Sequence, residues 1–399
     1  MSRTAPGGCQ FSRLKSVFSL LRGMSAVIDF SDGDSYDRSL VKGARAVVSD
    51  VLGLKKGERI LIVTNPNREV REISMAIYDA ALELGSAPVV MFQREKGQFD
   101  FAEEEVLKAV SANPDVVLSI SASRLGKDSF GLKHGYRGKR KYDHIFDYFY
   151  EEKKMRAFWS PGITCDMFSR TVPIDYTQLR TDCRRVRKLL DSSETVRITA
   201  PGGTDLTIGV RGRKARPDDG DFRKPGLAGN IPSGEVFVSP ELRTANGTIA
   251  FDGSIVIEKG EIMIRDPILA DVKDGYVTSL GGGAQVVELE KAVKAGESKA
   301  MKLVKEGRFS RAKGEVYARN ARGIGELGIG LNREAKIVAN MLEDEKVYGT
   351  CHFAIGSNYD GDGEALIHLD GIVKRPTIVC RSKSSKVTTL MKDGKLDMS

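Results

Sequence analysis

The chain has 399 residues, 41% of them hydrophobic, and its 62 basic and 54 acidic side chains leave a formal charge of +8. That length suits about two domains with ample core, and charges so nearly cancelled make no case of their own for nucleic acid. No apolar run approaches the roughly 20 residues of a membrane helix. Cys9, Cys165, Cys183, Cys351 and Cys380 show no CxxC spacing, which argues against a zinc ribbon and a disulfide framework. A soluble protein of the reducing cytoplasm is expected.

Residues 1–38 read as an N-terminal extension. Its first part carries Arg3, Arg13, Lys15 and Arg22 without an acid, around the apolar cluster Val17 to Leu21. Organelle-targeting leaders have that composition. Met24 begins a second plausible N-terminus, and an extra upstream start is the preferred reading.

Residues 39–190 alternate between β and α patterns. A helix is expected near Leu40–Leu54, then the apolar strand Arg59–Thr64, a helix through Met75–Leu84, a strand near Ala87–Phe92, a helix near Ala102–Val110 and a strand at Asp115–Ile120. Such alternation predicts an α/β domain with a mostly parallel sheet. The turn Thr64-Asn-Pro-Asn-Arg68 lacks the glycines that admit a pyrophosphate to a helix N-terminus, so no dinucleotide site is assigned.

Between Lys127 and Arg156, the basic residues Lys133, Arg137, Lys139, Arg140 and Lys141 mix with Tyr136, Tyr142, Phe146, Tyr148, Phe149 and Tyr150. Basic and aromatic side chains together can cradle a single nucleic-acid strand. The preferred reading is a solvated loop followed by a helix that buries an aromatic face, and His134 and His144 stand alone there. A charged helix near Tyr176–Leu190 then connects to residues 191–399, where Thr195–Val210 suggests strands and Arg211–Pro225 reads as loop. Short strands separated by Asp-Gly and Lys-Gly turns follow, with a helix near Val286–Glu306. This second domain is expected to be mixed α+β and to carry the chemistry.

The stretch Gly349–Gly371 holds two of the chain's four histidines. Alternate side chains of a strand share a face, so His368 and Asp370 point the same way, opposite Ile367 and Leu369. Two glutamates also draw attention. Glu235 ends the Pro/Gly turn of Asn230-Ile-Pro-Ser-Gly-Glu235, and Glu326 lies inside Gly323-Ile-Gly-Glu-Leu-Gly-Ile-Gly330. That octet contains a formal GxGxxG, which is rejected because it puts a carboxylate where a phosphate would sit and alternates like a strand. A glutamate among such apolar neighbours is costly to bury without a cation or metal. Glu235, Glu326, His352, Tyr359, His368 and Asp370 together supply hard oxygen ligands and two imidazoles, enough for two divalent ions if the residues meet.

The motifs NIPSGEVF (230–237), IGELGIGLN (324–332), LEDEKVYGTCHFAIGSNY (342–359) and IHLDGIVKRPTI (367–378) resemble the metallo-aminopeptidases of the aminopeptidase T and aminopeptidase S family. The likeness runs from about residue 40 to near the C-terminus. The loop between His352 and His368 is shorter than in the bacterial peptidases, and the stretch from Glu235 to Glu326 longer. The resemblance implies that Glu235, Glu326, His352, Tyr359, His368 and Asp370 hold two ions, zinc, cobalt or manganese. It implies a peptide substrate whose N-terminal residue is released by a metal-activated water, and a homodimer. Glu326 is expected as general base, its pKa raised by apolar neighbours, and Tyr359 as a ligand or as a donor to the oxyanion. The sharp alternative is a ring-cleaving dioxygenase of the dihydroxypyridine type, in which His352, His368 and Asp370 bind one iron(II). That reading leaves Glu235 and Glu326 as expensive anions.

Overall fold

The computed structural model describes residues 36–97 and 100–397, so the expectations for the leader and for Cys9 lie outside the described residues. The first sheet has five strands in the order 228–230, 156–161, 116–121, 59–64 and 87–92, every pair parallel. The run Arg59–Thr64 is buried at all but its first residue, as a strand covered on both faces must be. The helix Arg68–Glu83 packs on it through Val70, Ile73, Ala76, Ile77 and Ala80, one apolar stripe at helical spacing. This helix begins seven residues earlier than Met75, straight after the Pro66-Asn67 turn. The helix expected at 40–54 is α only over Leu40–Ala46 and continues as a π turn through Val51.

The later part of the chain builds two further sheets. One orders its strands 260–263, 254–257, 368–374, 350–356, 324–330, 235–238 and 216–218, antiparallel throughout. The other, with eight strands from 193–199 to 395–396, packs against it and shares its core. The short strand Arg216–Asp218 interrupts the stretch expected to be loop. The helix Val286–Lys305 lies within one residue of expectation, while Arg311–Asn320 is an unanticipated helix.

The two sequence regions are stitched together. Ala228–Asn230, well beyond the boundary at 190, supplies the edge strand of the first sheet by pairing with Ala157–Trp159. Five residues further on, Glu235 opens a strand of the metal-ligand sheet. Arg170, on the helix Cys165–Thr171, donates to buried Glu343 at 2.6 Å. Asn332 Nδ2 bonds the carbonyls of Thr171 and Ser233.

In the basic and aromatic stretch, Tyr136 stacks on Tyr148 and Tyr142 meets it edge-on. Arg140 is paired with Glu151 and lies over the Tyr142 ring. His144 accepts from the Phe146 amide through Nδ1, so its Nε2 donates to the Gly126 carbonyl. Cys165, Cys183, Cys351 and Cys380 are free. Among the described residues no helix is long and apolar enough to cross a membrane.

Candidate metal centre

Four neighbouring strands of the seven-stranded sheet carry the site. Glu235 pairs with Gly330, Glu326 with Ala354, Gly328 with His352, and Ala354 with Asp370. The alternation expected holds from Glu326 to Gly330 and over 368–370, with a register irregularity between Ile324 and Glu326. Gly328 has a specific duty, because a Cβ there would lie 2.0 Å from the His352 ring. Only glycine leaves that imidazole its place.

The side chains converge in two groups. Glu235, Glu326 and His352 form one, and Glu326, His368 and Asp370 the other, each with donor atoms within 4.8 Å of one another. His352 Nε2 lies 3.5 Å from Glu235 Oε2 and 3.2 Å from Glu326 Oε1. His368 Nε2 lies 3.3 Å from Glu326 Oε2 and 3.3 Å from Asp370 Oδ1. Glu326 thus gives one oxygen to each group. His368 Nδ1 faces the Ser357 carbonyl at 2.8 Å, a bond that fixes the ring and leaves Nε2 for the centre.

Tyr359 is the sixth expected residue and stands at the rim. Its ring packs 5.1 Å from Phe237 and 5.2 Å from His368. Although 51% of the residue is open to solvent, burial of its hydroxyl end and the charges of Glu326 and Asp370 push its pKa up. It is a hydrogen-bond donor at neutral pH.

Sequence reasoning missed Lys346. It has no exposed surface, and its ammonium lies 2.5 Å from Glu345 Oε1, 2.6 Å from Glu235 Oε1 and 3.5 Å from Asp218 Oδ2. Desolvation opposes its charge, but Glu235, Glu345 and Asp218 hold its pKa well above the ordinary lysine value. Burial pushes Glu235 up to about 8 against the pull of Lys346. At 2.6 Å the Lys346 ammonium and the Glu235 carboxylate form a charge-assisted ion pair.

The site is short of positive charge. Burial works against the His352 imidazolium, yet the bond to Glu326 and the charge of Glu235 outweigh it and hold the ring at about 9. His368 is likewise raised, against desolvation, by Asp370 and Glu326. Burial would raise Glu326, but its bonds from His352 and His368 prevail and its pKa is lowered. The elevation expected for a general base is not found, because two imidazoles reach what looked in sequence like an apolar surrounding. Glu235 Oε2 and Asp370 Oδ1 are buried without a hydrogen-bond partner. Orphaned carboxylate oxygens facing imidazole nitrogens are what divalent ions satisfy, so the residues fit a metal.

Protons on the two rings stand where ions would bind, which sets a pH dependence. His352 is raised from 6.5 to about 9 in the metal-free fold. Its contribution to stability is complete below pH 6.5 and is lost as pH climbs through 9. Metal must displace that proton. Calorimetric titration of metal-free protein with zinc at pH 7.5, in buffers of different ionisation heat, is expected to show proton release. Uptake without released protons would contradict the assignment.

A model of the family described as 2,5-dihydroxypyridine 5,6-dioxygenase matches residues 46–380. The chain belongs to the 2,5-dihydroxypyridine 5,6-dioxygenase family. A curated member from Pseudomonas putida is 25% identical over 203 residues, 47% of this chain, and the chain spans only about half of that relative's length, 52%. The solved 2,5-dihydroxypyridine dioxygenase from Pseudomonas putida KT2440 superposes with a TM-score of 0.64 at 16% identity, covering 90% of this chain and 96% of that one. AmpT from Thermus thermophilus superposes at 0.60, also at 16% identity, covering 90% and 99%. The expected kinship with aminopeptidase T is therefore met in the fold, while the matching family is the related dioxygenase. The family supports an enzyme, the AmpT likeness bears on the fold, and the gathered donor groups fit a metal.

Proposed function

We propose that this chain is a dinuclear metal-dependent aminopeptidase. The reading rests on Glu326, which turns one oxygen to His352 and Glu235 and the other to His368 and Asp370. A carboxylate shared by two donor groups suits two ions, whereas one iron on His352, His368 and Asp370 would leave buried Glu326 without an ion of its own. Glu235, Glu326 and His352 would hold one, and Glu326, His368 and Asp370 the other. Zinc, cobalt or manganese suits the donors.

Bound ions would supply a water of lowered pKa and polarise the scissile carbonyl. The chain's own residues do the rest. Glu235 is bound to Lys346 through Oε1, and its Oε2 has no hydrogen-bond partner, so that oxygen is the one left to hold an ion. Both Glu326 oxygens are engaged, which supports the bridging role over the base role. Tyr359, protonated and beside His368, is placed to donate to the oxyanion of a substrate lying over that ring.

Family membership favours the second reading, a mononuclear iron(II) ring-cleaving dioxygenase, with His352, His368 and Asp370 as ligands. Metal analysis of the protein from its native source, paired with release of free amino acid from short peptides without oxygen, decides between them. Two divalent ions per chain and oxygen-independent release are expected. One iron per chain, with oxygen consumed and peptides left intact, would overturn the proposal. A homodimer, implied by the resemblance to the peptidases, is part of the same proposal, and light scattering that shows a monomer would remove it.

A further inference from the structure

His368 lines a cavity of about 950 Å³ together with Val256, Ile257, Ala292, Leu366 and Arg124. Arg124 belongs to the other part of the molecule, following the parallel strand Val116–Ser121. The same residue lines a second cavity, about 410 Å³, at the carboxyl ends of the strands 116–121 and 156–161, with Ser121, Phe146 and Trp159. Carboxyl ends of parallel strands are where open α/β sheets receive ligands. Arg124 is the one residue common to both cavities.

Its backbone is fixed. Arg124 bridges Lys96, the neighbouring Leu125 carbonyl accepts from Gln93 Nε2 at 2.7 Å, and a Cβ on Gly126 would lie 2.5 Å from the Ala102 nitrogen. The guanidinium is unoccupied by contrast. It is exposed, and among the described residues it forms no ion pair; it acts on Glu261 only through its charge. Lys302, which lines the same cavity, is paired with Glu306 at 3.9 Å. A fixed base carrying an unpaired planar cation suits bidentate capture of a carboxylate.

We propose that Arg124 receives the C-terminal carboxylate of the substrate, so that this site takes short peptides with a free C-terminus. The proposal rests on the aminopeptidase reading. A ligand that fills the larger cavity meets both His368 and Arg124, and a volume of about 950 Å³ suits a small molecule or short peptide. The apolar wall of Val256, Ile257, Ala292 and Leu366 takes side chains near the centre. In the second cavity, which Arg124 also lines, Phe146 and Trp159 stand edge to face with centroids 5.6 Å apart, an aromatic wall for the last side chain.

The test compares Leu-Gly-Phe with its C-terminal amide on metal-loaded wild type, Arg124→Ala and Arg124→Lys. Wild type is expected to cleave the free acid with a KM about 10- to 100-fold below that of the amide. Arg124→Ala should abolish that difference by raising KM for the acid alone, with kcat and metal content close to wild type, and Arg124→Lys should recover part of it. Equal treatment of acid and amide by wild type, or an equal loss for both in Arg124→Ala, overturns the anchor. Absence of any cleavage defeats the hydrolase reading instead. Calorimetric binding of the same pair then judges Arg124: preference for the acid that disappears in Arg124→Ala supports it, and equal binding overturns it.

Discussion

Lys346→Met is expected to destabilise the metal-free protein by about 3–5 kcal/mol, the usual cost of removing one partner from a buried ion pair. The chain length is nearly retained, so packing changes little and the charge is what is lost. Glu235, Glu345 and Asp218 would then share a space from which water is excluded, with no cation between them. Asp218 sits opposite Glu235 in the sheet register, so strand pairing itself holds the two carboxylates together. Denaturant unfolding of metal-free wild type and variant measures the effect. A change under about 1 kcal/mol would show that the three carboxyls accept neutral forms without strain and that Lys346 matters little.

His352→Ala and His368→Ala are each expected to lose one metal ion per chain and at least about 100-fold in peptide-cleaving rate. Outer-shell changes alone cost about 10- to 100-fold, and here a donor itself is gone. His352→Ala should empty the group with Glu235, and His368→Ala the group with Asp370. Secondary structure should persist, since the parallel sheet and its helices do not depend on either ring. Gly328→Ala should mimic His352→Ala, because its methyl would occupy the ring's position. Metal content by mass spectrometry, read beside circular dichroism, checks all three. Full metal content and full rate in His368→Ala would mean that the centre lies elsewhere.

The parallel sheet was legible because a strand buried on both faces writes itself as a continuous apolar run, as in Arg59–Thr64. The ligand strands were legible for a different reason. Glu326 interrupts an apolar and glycine run, His368 and Asp370 alternate with Leu369, and the register sets all three on one face of the sheet. Lys346 was hidden by its surroundings. Glu343, Asp344, Glu345 and Lys346 form a run of charges that reads as a solvated surface, yet Glu343, Asp344 and Lys346 have no exposure at all. Their burial is decided by distant partners, Arg170, Ser254 and Glu235, which local pattern cannot reveal. Ala228–Asn230 was hidden too, because Ala-Gly-Asn followed by Pro and Gly has the composition of a turn. The helix Arg311–Asn320 buries only Gly314 and Asn320 and so carries no apolar stripe to find.

Ala228–Asn230 also governs how this molecule can be divided. A fragment ending near residue 191 would leave Arg156–Pro161 as a bare sheet margin, its amides and carbonyls open to any passing strand. The complementary fragment would carry the missing piece. Two halves made separately thus have a reason to reassemble, and two whole chains have a segment they can trade, each completing the other's sheet. An exchange of that kind would carry Glu235 along with the strand, so each centre would then be built from two chains.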